Sequence, residues 1–248
     1  MARQPDLVQA VEQAPLRRAP FDHIALENVF SPDFYREMLD RLPATERYHP
    51  LHHRDALRPD GSSTRLRLYL YPETLWRLPG PQRRIWRRIA AALASLELEN
   101  AFKWKFRAAL EDRFQMAAER IPLYPVPILL RDLPGYRIGI HADVPTKAIT
   151  VQFYLPHGAR QAHLGTLFHT GKKQDEGDPP IAMPFLPASG YAFVVRRKES
   201  WHSAPKTTEA DGERRSIILT YYVDQEPRLK FKRRFERAGI LFGRYPRG

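Results

Sequence analysis

The chain has 248 residues, 43% of them hydrophobic and 27% charged, which excludes a disordered or fibrous protein and suffices to bury a sizeable core. It has no cysteine, so neither disulfides nor thiolate ligands can hold the fold, and any metal must rely on His, Asp or Glu. The formal net charge of +12 raises nucleic acid or an anionic surface as a partner, but no nucleic-acid module motif accompanies it, and the arginines are scattered apart from Arg83 to Arg88 and the C-terminal tail.

A solvated basic surface, serving solubility and steering rather than nucleic-acid binding, is therefore expected. The N-terminal stretch MARQPDLVQAVEQAPLRRAPF has no apolar run of signal-peptide length. No later segment approaches the roughly 18 uninterrupted apolar residues of a membrane span, so a cytoplasmic protein without membrane insertion is expected.

Residues 1–20 read as a mobile or loosely docked lead-in. Phe21 to Phe30 reads as a strand and turn, and Ser31-Pro32 as a helix start, with Ser at the N-cap and Pro at the first helical position. This helix runs to about Leu42, with Phe34, Met38, Leu39 and Leu42 on one face, and Pro43 ends it. Residues 44–63 form a polar loop. Thr64 to Leu70 alternates, with Leu66, Leu68 and Leu70 on one face and Arg65, Arg67 and Tyr69 on the other, the pattern of a half-buried strand.

From Pro81 to about Ala118 the period becomes helical. Ile85, Ile89 and Leu93 make one stripe, and Phe102, Phe106, Leu110 and Phe114 a second. They read as the packed faces of two helices laid against a sheet, with Arg83, Arg84, Arg87 and Arg88 on the wet side of the first. Beyond Pro122 the chain breaks into short strand-like runs: Ile128 to Asp132, Tyr136 to His141, Ala148 to Leu155, Thr166 to His169, Ala182 to Phe185, Tyr191 to Val195, Ser200 to Ser203 and Arg214 to Val223. Gly171 to Pro180 is a surface loop. Short strands in this number behind a helical layer indicate an α+β fold built on a double-sheet jelly roll. A single domain over residues 1–248 is expected, with helical support from 21–120, a jelly-roll core over about 122–224 and a basic tail over 225–248.

The chemistry concentrates between Tyr136 and Tyr222. His141 and Asp143 are separated by one residue and point to the same side of an extended segment, so they can share a metal. His202 is placed to return as a third ligand. Two imidazoles and one carboxylate, with coordination positions left open, are the ligand set of non-haem ferrous oxygenases. Further on, Arg214 and Ser216 share one face of the last strand, where a guanidinium and a hydroxyl are suited to gripping a carboxylate.

The strings YRIGIHADVPTKAITVQFYLP, LGTLFH, SGYAFVVRRKESWHSAP and ERRSIILTYY together resemble the iron(II) and 2-oxoglutarate dependent oxygenases, in the branch related to prolyl hydroxylases. The resemblance covers roughly residues 120 to 224, and the helical part before it loosely. It implies a double-stranded β-helix, Fe(II) held by His141, Asp143 and His202, and 2-oxoglutarate held at its distal carboxylate by Arg214 and Ser216. It further implies a dioxygenase that uses molecular oxygen, releases succinate and CO2, and hydroxylates or desaturates an unactivated carbon of a small molecule or peptide. Relatives that halogenate carry a small residue where this chain has Asp143, so halogenation is not expected.

Tyr154 is either a co-substrate contact or a core tyrosine. Lys147 reaches an anionic substrate or points into water; Arg131 and Trp201 flank the site as substrate contacts, with packing as the other reading of Trp201. His157, His163 and His169 are spaced for neither a strand nor a helix to align them. A rival to the enzyme is a non-catalytic metal-binding jelly roll acting as a sensor or basic interaction module, and a further one a cupin-type isomerase or dioxygenase, which would not need Arg214. Succinate release separates these.

Overall fold

In the computed structural model, which describes residues 7–52, 54–173, 178–223 and 235–240, helices from the first half of the chain cover one face of a large sheet. The helices are α1 (Leu7–Gln13), α2 (Pro32–Asp40), α3 (Pro72–Leu75), α4 (Gly80–Leu93), α5 (Leu96–Lys105) and α6 (Arg107–Phe114). The strands are β1 (His23–Leu26), β2 (His49–Pro50), β3 (Arg65–Tyr69), β4 (Leu123–Asp132), β5 (Ile138–His141), β6 (Lys147–Tyr154), β7 (Thr166–His169), β8 (Ile181–Met183), β9 (Gly190–Val194), β10 (Trp201–Ala204) and β11 (Arg214–Val223). A seven-stranded sheet runs β1-β9-β6-β11-β4-β3-β2, and a four-stranded sheet runs β5-β10-β7-β8. Their pairings are antiparallel. Two such sheets enclosing a common interior are the jelly roll expected from the sequence.

Alternation along the strands divides two cores. Leu68, Leu129, Val151, Phe153, Ile217, Leu219 and Tyr221 face outward and pack with Phe34, Trp86, Ile89, Phe102 and Leu110 of the helices. Fully burying each large side chain contributes about 1.5–3 kcal/mol relative to exposure, so this layer is the main support of the large sheet. The inner core, between the sheets, contains Phe21, Tyr154, Phe168, Phe185, Tyr191 and Phe193. Gly190 lets β9 approach β6 closely, because a Cβ there would collide with the backbone of Gln152.

Several sequence expectations need correction. The lead-in contains α1, whose Leu7 and Val11 are buried in the outer core, and Lys105 donates to the Glu12 and Ala14 carbonyls at 2.8 Å. The region expected to form two helices forms α4, α5 and α6, with a break at Phe106. Ser31 and Pro32 do open α2, although the Ser31 side chain makes no capping bond, whereas Ser95 caps α5 by accepting from Leu98 N–H at 3.2 Å. Arg83, Arg84 and Arg87 are exposed on α4 as expected; Arg88 is half-buried, over the Phe34 ring.

The polar face of β3 is also not a wet face. Arg65 pairs in register with Asp132, and Arg67 with Leu130; both side chains turn inward, away from the helical layer that takes Leu66 and Leu68. Arg67 is buried. The 235–240 segment of the basic tail is helical, its Ile240 packing on Tyr69 and Tyr71, while residues 225–234 and 241–248 lie outside the described residues. No described helix is long and apolar enough to cross a membrane.

Candidate active site

His141 ends β5 and His202 lies directly opposite it on β10, so an antiparallel pairing fixes their ring centroids 4.2 Å apart. Asp143 follows β5 by two residues and is held from β6. Lys147 Nζ donates to Asp143 Oδ1 at 2.6 Å, and Thr150 Oγ1 donates to Oδ2 at 2.6 Å. One ligand atom from each of His141, Asp143 and His202 lies within 4.8 Å of the others. A single small cation can be reached by all three.

The protonation states suit that purpose. The Nδ1 of His141 lies 3.0 Å from the Gly139 carbonyl, and that of His202 3.0 Å from the Ser200 carbonyl. A carbonyl only accepts, so each ring carries its proton on Nδ1 and keeps the Nε2 lone pair for a metal. Burial, helped by the neighbouring His141, outweighs the Asp143 carboxylate and brings the His202 pKa down to about 4. Burial alone would raise Asp143, but Lys147, His202 and the bonds from Lys147 and Thr150 more than offset it, holding its carboxyl well below the usual carboxylate range. At neutral pH His202 is a neutral imidazole and Asp143 a carboxylate, and with the His141 ring they make the donor chemistry of a divalent metal.

Strand β11 carries a second group of buried polar side chains. Strand alternation turns Arg214 and Ser216 inward and Ile217, Leu219 and Tyr221 into the outer core. Arg214 donates from Nε to the Leu164 carbonyl at 2.9 Å and from Nη1 to Asp132 Oδ2 at 2.8 Å. Its Nη2 is buried and has no hydrogen-bond partner among the described residues. Ser216 Oγ accepts from Gln152 at 2.8 Å, Gln152 Oε1 accepts from Tyr191 at 2.7 Å, and Tyr191 accepts from Thr166 at 3.2 Å. In that chain Ser216 Oγ accepts, so its own proton is not used there. An orphaned guanidinium N–H beside an oriented hydroxyl fits one carboxylate group.

The other sequence candidates divide. Tyr154 is buried with its ring 5.4 Å from the Arg214 guanidinium carbon, and its hydroxyl donates to the Met183 carbonyl at 3.2 Å. Lys147 is engaged with Asp143. Arg131 pairs with Arg215 across β4 and β11 on the opposite side of the strands, bound to Glu213 and Thr45 and lying over Tyr48, so it does not join the metal set. Trp201 alternates with the inward His202 and donates to the Lys198 carbonyl at 2.9 Å. Arg215 bonds Glu213 and borders a surface cleft of about 300 Å³ with His157 and Asp211. His163 pairs with Asp211 and His169 with Ser203, neither with the metal set. Sequence reading missed Thr150, whose partner Asp143 lies in the loop before its own strand, and Gln152, Asp132 and Arg65, whose partners lie on other strands.

No family model matches the chain, and no curated protein matches it in sequence. Solved structures do match. A prolyl-4-hydroxylase from Pseudomonas putida superposes with a TM-score of 0.53 at 14% identity, covering 89% of this chain and 99% of that one. A dioxygenase for auxin oxidation in rice gives 0.52 at 14% identity, covering 90% of this chain and 86% of that one. The chain shares their fold. A non-heme alpha-ketoglutarate-dependent epimerase from nogalamycin biosynthesis matches as well, with a TM-score of 0.51 at 12% identity over 88% of this chain and 79% of that one. The double-stranded β-helix expected from the sequence motifs is thereby matched in solved structures.

Proposed function

We propose that this chain is an Fe(II)- and 2-oxoglutarate-dependent oxygenase that hydroxylates an unactivated carbon of a small-molecule or peptide substrate, with release of succinate and CO2. The observation that carries the reading is that one barrel holds both a three-donor metal set and a buried Arg214 whose Nη2 has no hydrogen-bond partner among the described residues. A metal site alone would serve a sensor; the carboxylate pocket is what a 2-oxo diacid needs. Hydroxylation is preferred to halogenation because Asp143 occupies the third ligand position.

His141, Asp143 and His202 would hold the iron, which when bound supplies oxygen activation and the oxidising power for C–H cleavage. Lys147 and Thr150 fix which way the Asp143 carboxylate turns, so the metal meets it without a reorganisation of the loop. Arg214 and Ser216 would grip the far carboxylate of 2-oxoglutarate, setting its distance from the metal. Tyr154, Phe185 and Phe193 wall the interior, with Phe193 4.9 Å from the His202 ring, and keep water from the reacting atoms.

The expected result in calorimetry is that 2-oxoglutarate binds Mn(II)-loaded protein at one site per chain and binds metal-free protein far more weakly, since metal and arginine each hold one end. Equal affinity with and without metal would contradict the reading.

A further inference from the structure

We propose that Arg65 is a positioning residue for carboxylate recognition by Arg214, acting through the buried Asp132; the inference rests on the oxygenase reading and names a part of its co-substrate site that no ligand atom touches. Three adjacent strands carry the arrangement: Arg65 on β3 and Arg214 on β11 both pair in register with Asp132 on β4. Asp132 is wholly buried. Arg65 Nε donates to Oδ1 at 2.6 Å and Arg65 Nη2 to Oδ2 at 3.0 Å, the two-pronged geometry of a guanidinium on a carboxylate. Arg214 shares only Oδ2, through Nη1.

This geometry decides what Arg214 has left to give. A carboxylate facing Arg214 alone would be free to take both terminal nitrogens in the same two-pronged manner. With Arg65 already occupying both oxygens, Asp132 accepts one Arg214 nitrogen and leaves Nη2 without a partner among the described residues. Charge points the same way. Two guanidinium groups on one carboxylate leave a surplus positive charge, and both stay protonated, because the attraction of Asp132 more than offsets burial at each. The neighbouring phenols do not neutralise it: burial pushes Tyr136 up to about 12 and raises Tyr154. Arg65 itself is locked in place, stacked 4.2 Å over the Tyr136 ring. Its part is to saturate Asp132 so that Arg214 remains a cation with one open donor.

The test compares two ligands on Mn(II)-loaded protein by calorimetry: 2-oxoglutarate, and 2-oxobutyrate, which keeps the 2-oxo acid end and lacks the distal carboxylate. Wild-type protein should prefer 2-oxoglutarate. In Arg65→Gln that preference should fall by at least about tenfold, the weight of a charge-assisted hydrogen bond, while 2-oxobutyrate affinity holds. Arg65→Lys, which keeps the charge, should retain more of the preference. A merely structural Arg65 would lower thermal stability and leave the ratio of the two affinities unchanged, and that result overturns the inference. If Arg65→Gln does not fold, the conservative Arg65→Lys is read in its place, since it keeps a cation beside Asp132 but not the two-pronged bond; a lowered ratio of the two affinities there supports the inference, and an unchanged ratio overturns it. A wild-type protein that shows no preference for 2-oxoglutarate would instead refute the co-substrate pocket itself.

Discussion

His202→Ala is expected to weaken divalent metal binding by more than about a hundredfold, since even the outer partners of metal ligands are worth roughly ten- to a hundredfold. His202 is buried, neutral at physiological pH because burial brings its pKa to about 4, and fixed by the Ser200 carbonyl with Nε2 directed away from that bond. Nothing else among the described residues lies ready to replace it, as the donor set within reach of one ion is His141, Asp143 and His202. His169→Ala is the matched control. It is also a buried histidine of the small sheet, but its Nε2 is bonded to Ser203 at 2.8 Å, and its loss should leave metal affinity within about twofold. Titration of Mn(II) or Co(II) into the two variants decides the point; unchanged affinity in His202→Ala would remove the metal centre from the account.

Arg214→Ala is expected to weaken 2-oxoglutarate binding by roughly ten- to more than a hundredfold, the equivalent of about 1.5–3 kcal/mol for a hydrogen bond to a charged group. Arg214→Lys should recover only part, because it keeps the charge but loses the fork and the bond to the Leu164 carbonyl. Arg215→Ala should leave affinity nearly unchanged. One position along the strand turns Arg215 to the other face, where it bonds Glu213 at 2.9 Å and borders the surface cleft. Thermal melts separate binding from folding, since Arg214→Ala also removes one of two cations on buried Asp132. A large loss in Arg215→Ala with none in Arg214→Ala would mean that the pocket is elsewhere.

What was legible in the sequence was local and periodic. The bounds of β11 and β7 are as expected because each is a run containing β-branched and aromatic residues that follows a glycine-marked turn, Gly212 before β11 and Gly165 before β7. The stripe from Phe102 to Phe114 reads as one helical face, yet the helix breaks at Phe106, whose φ of −103° and ψ of 19° are not helical; the rings of Phe102 and Phe106 stack 6.5 Å apart across the α5 end, so spacing by four continues across the break. Helix α1 escaped notice because seven residues are too few for a stable helix alone, and its support comes from burial of Leu7 and Val11 and from α5 through Lys105.

The site shows the same division. His141, Asp143 and His202 stand out by residue type and spacing, and one strand orders Arg214 and Ser216. Their supports do not stand out, because they are distant in sequence: Arg65 meets Asp132 across 67 positions, and Gln152 meets Ser216 across 64. Arg65 and Arg67 on an alternating strand read as the solvent face, since charged residues are rarely buried; instead Arg65 is half-buried on Asp132 and the Tyr136 ring, and Arg67 is buried beside the Tyr69 ring. Lys147 lies four residues from Asp143, close enough in sequence to suggest a pair, but only the turn between β5 and β6 brings the amine onto the carboxylate.

The most direct test of the account is turnover without the substrate. Purified protein supplied with Fe(II), oxygen and 2-oxoglutarate is predicted to release succinate slowly, with 2-oxoglutarate consumed in equal amount, and the release should stop on chelation of the metal and in His202→Ala. Absence of succinate from protein that demonstrably binds both Fe(II) and 2-oxoglutarate would contradict the enzyme and favour a metal-binding module in its place.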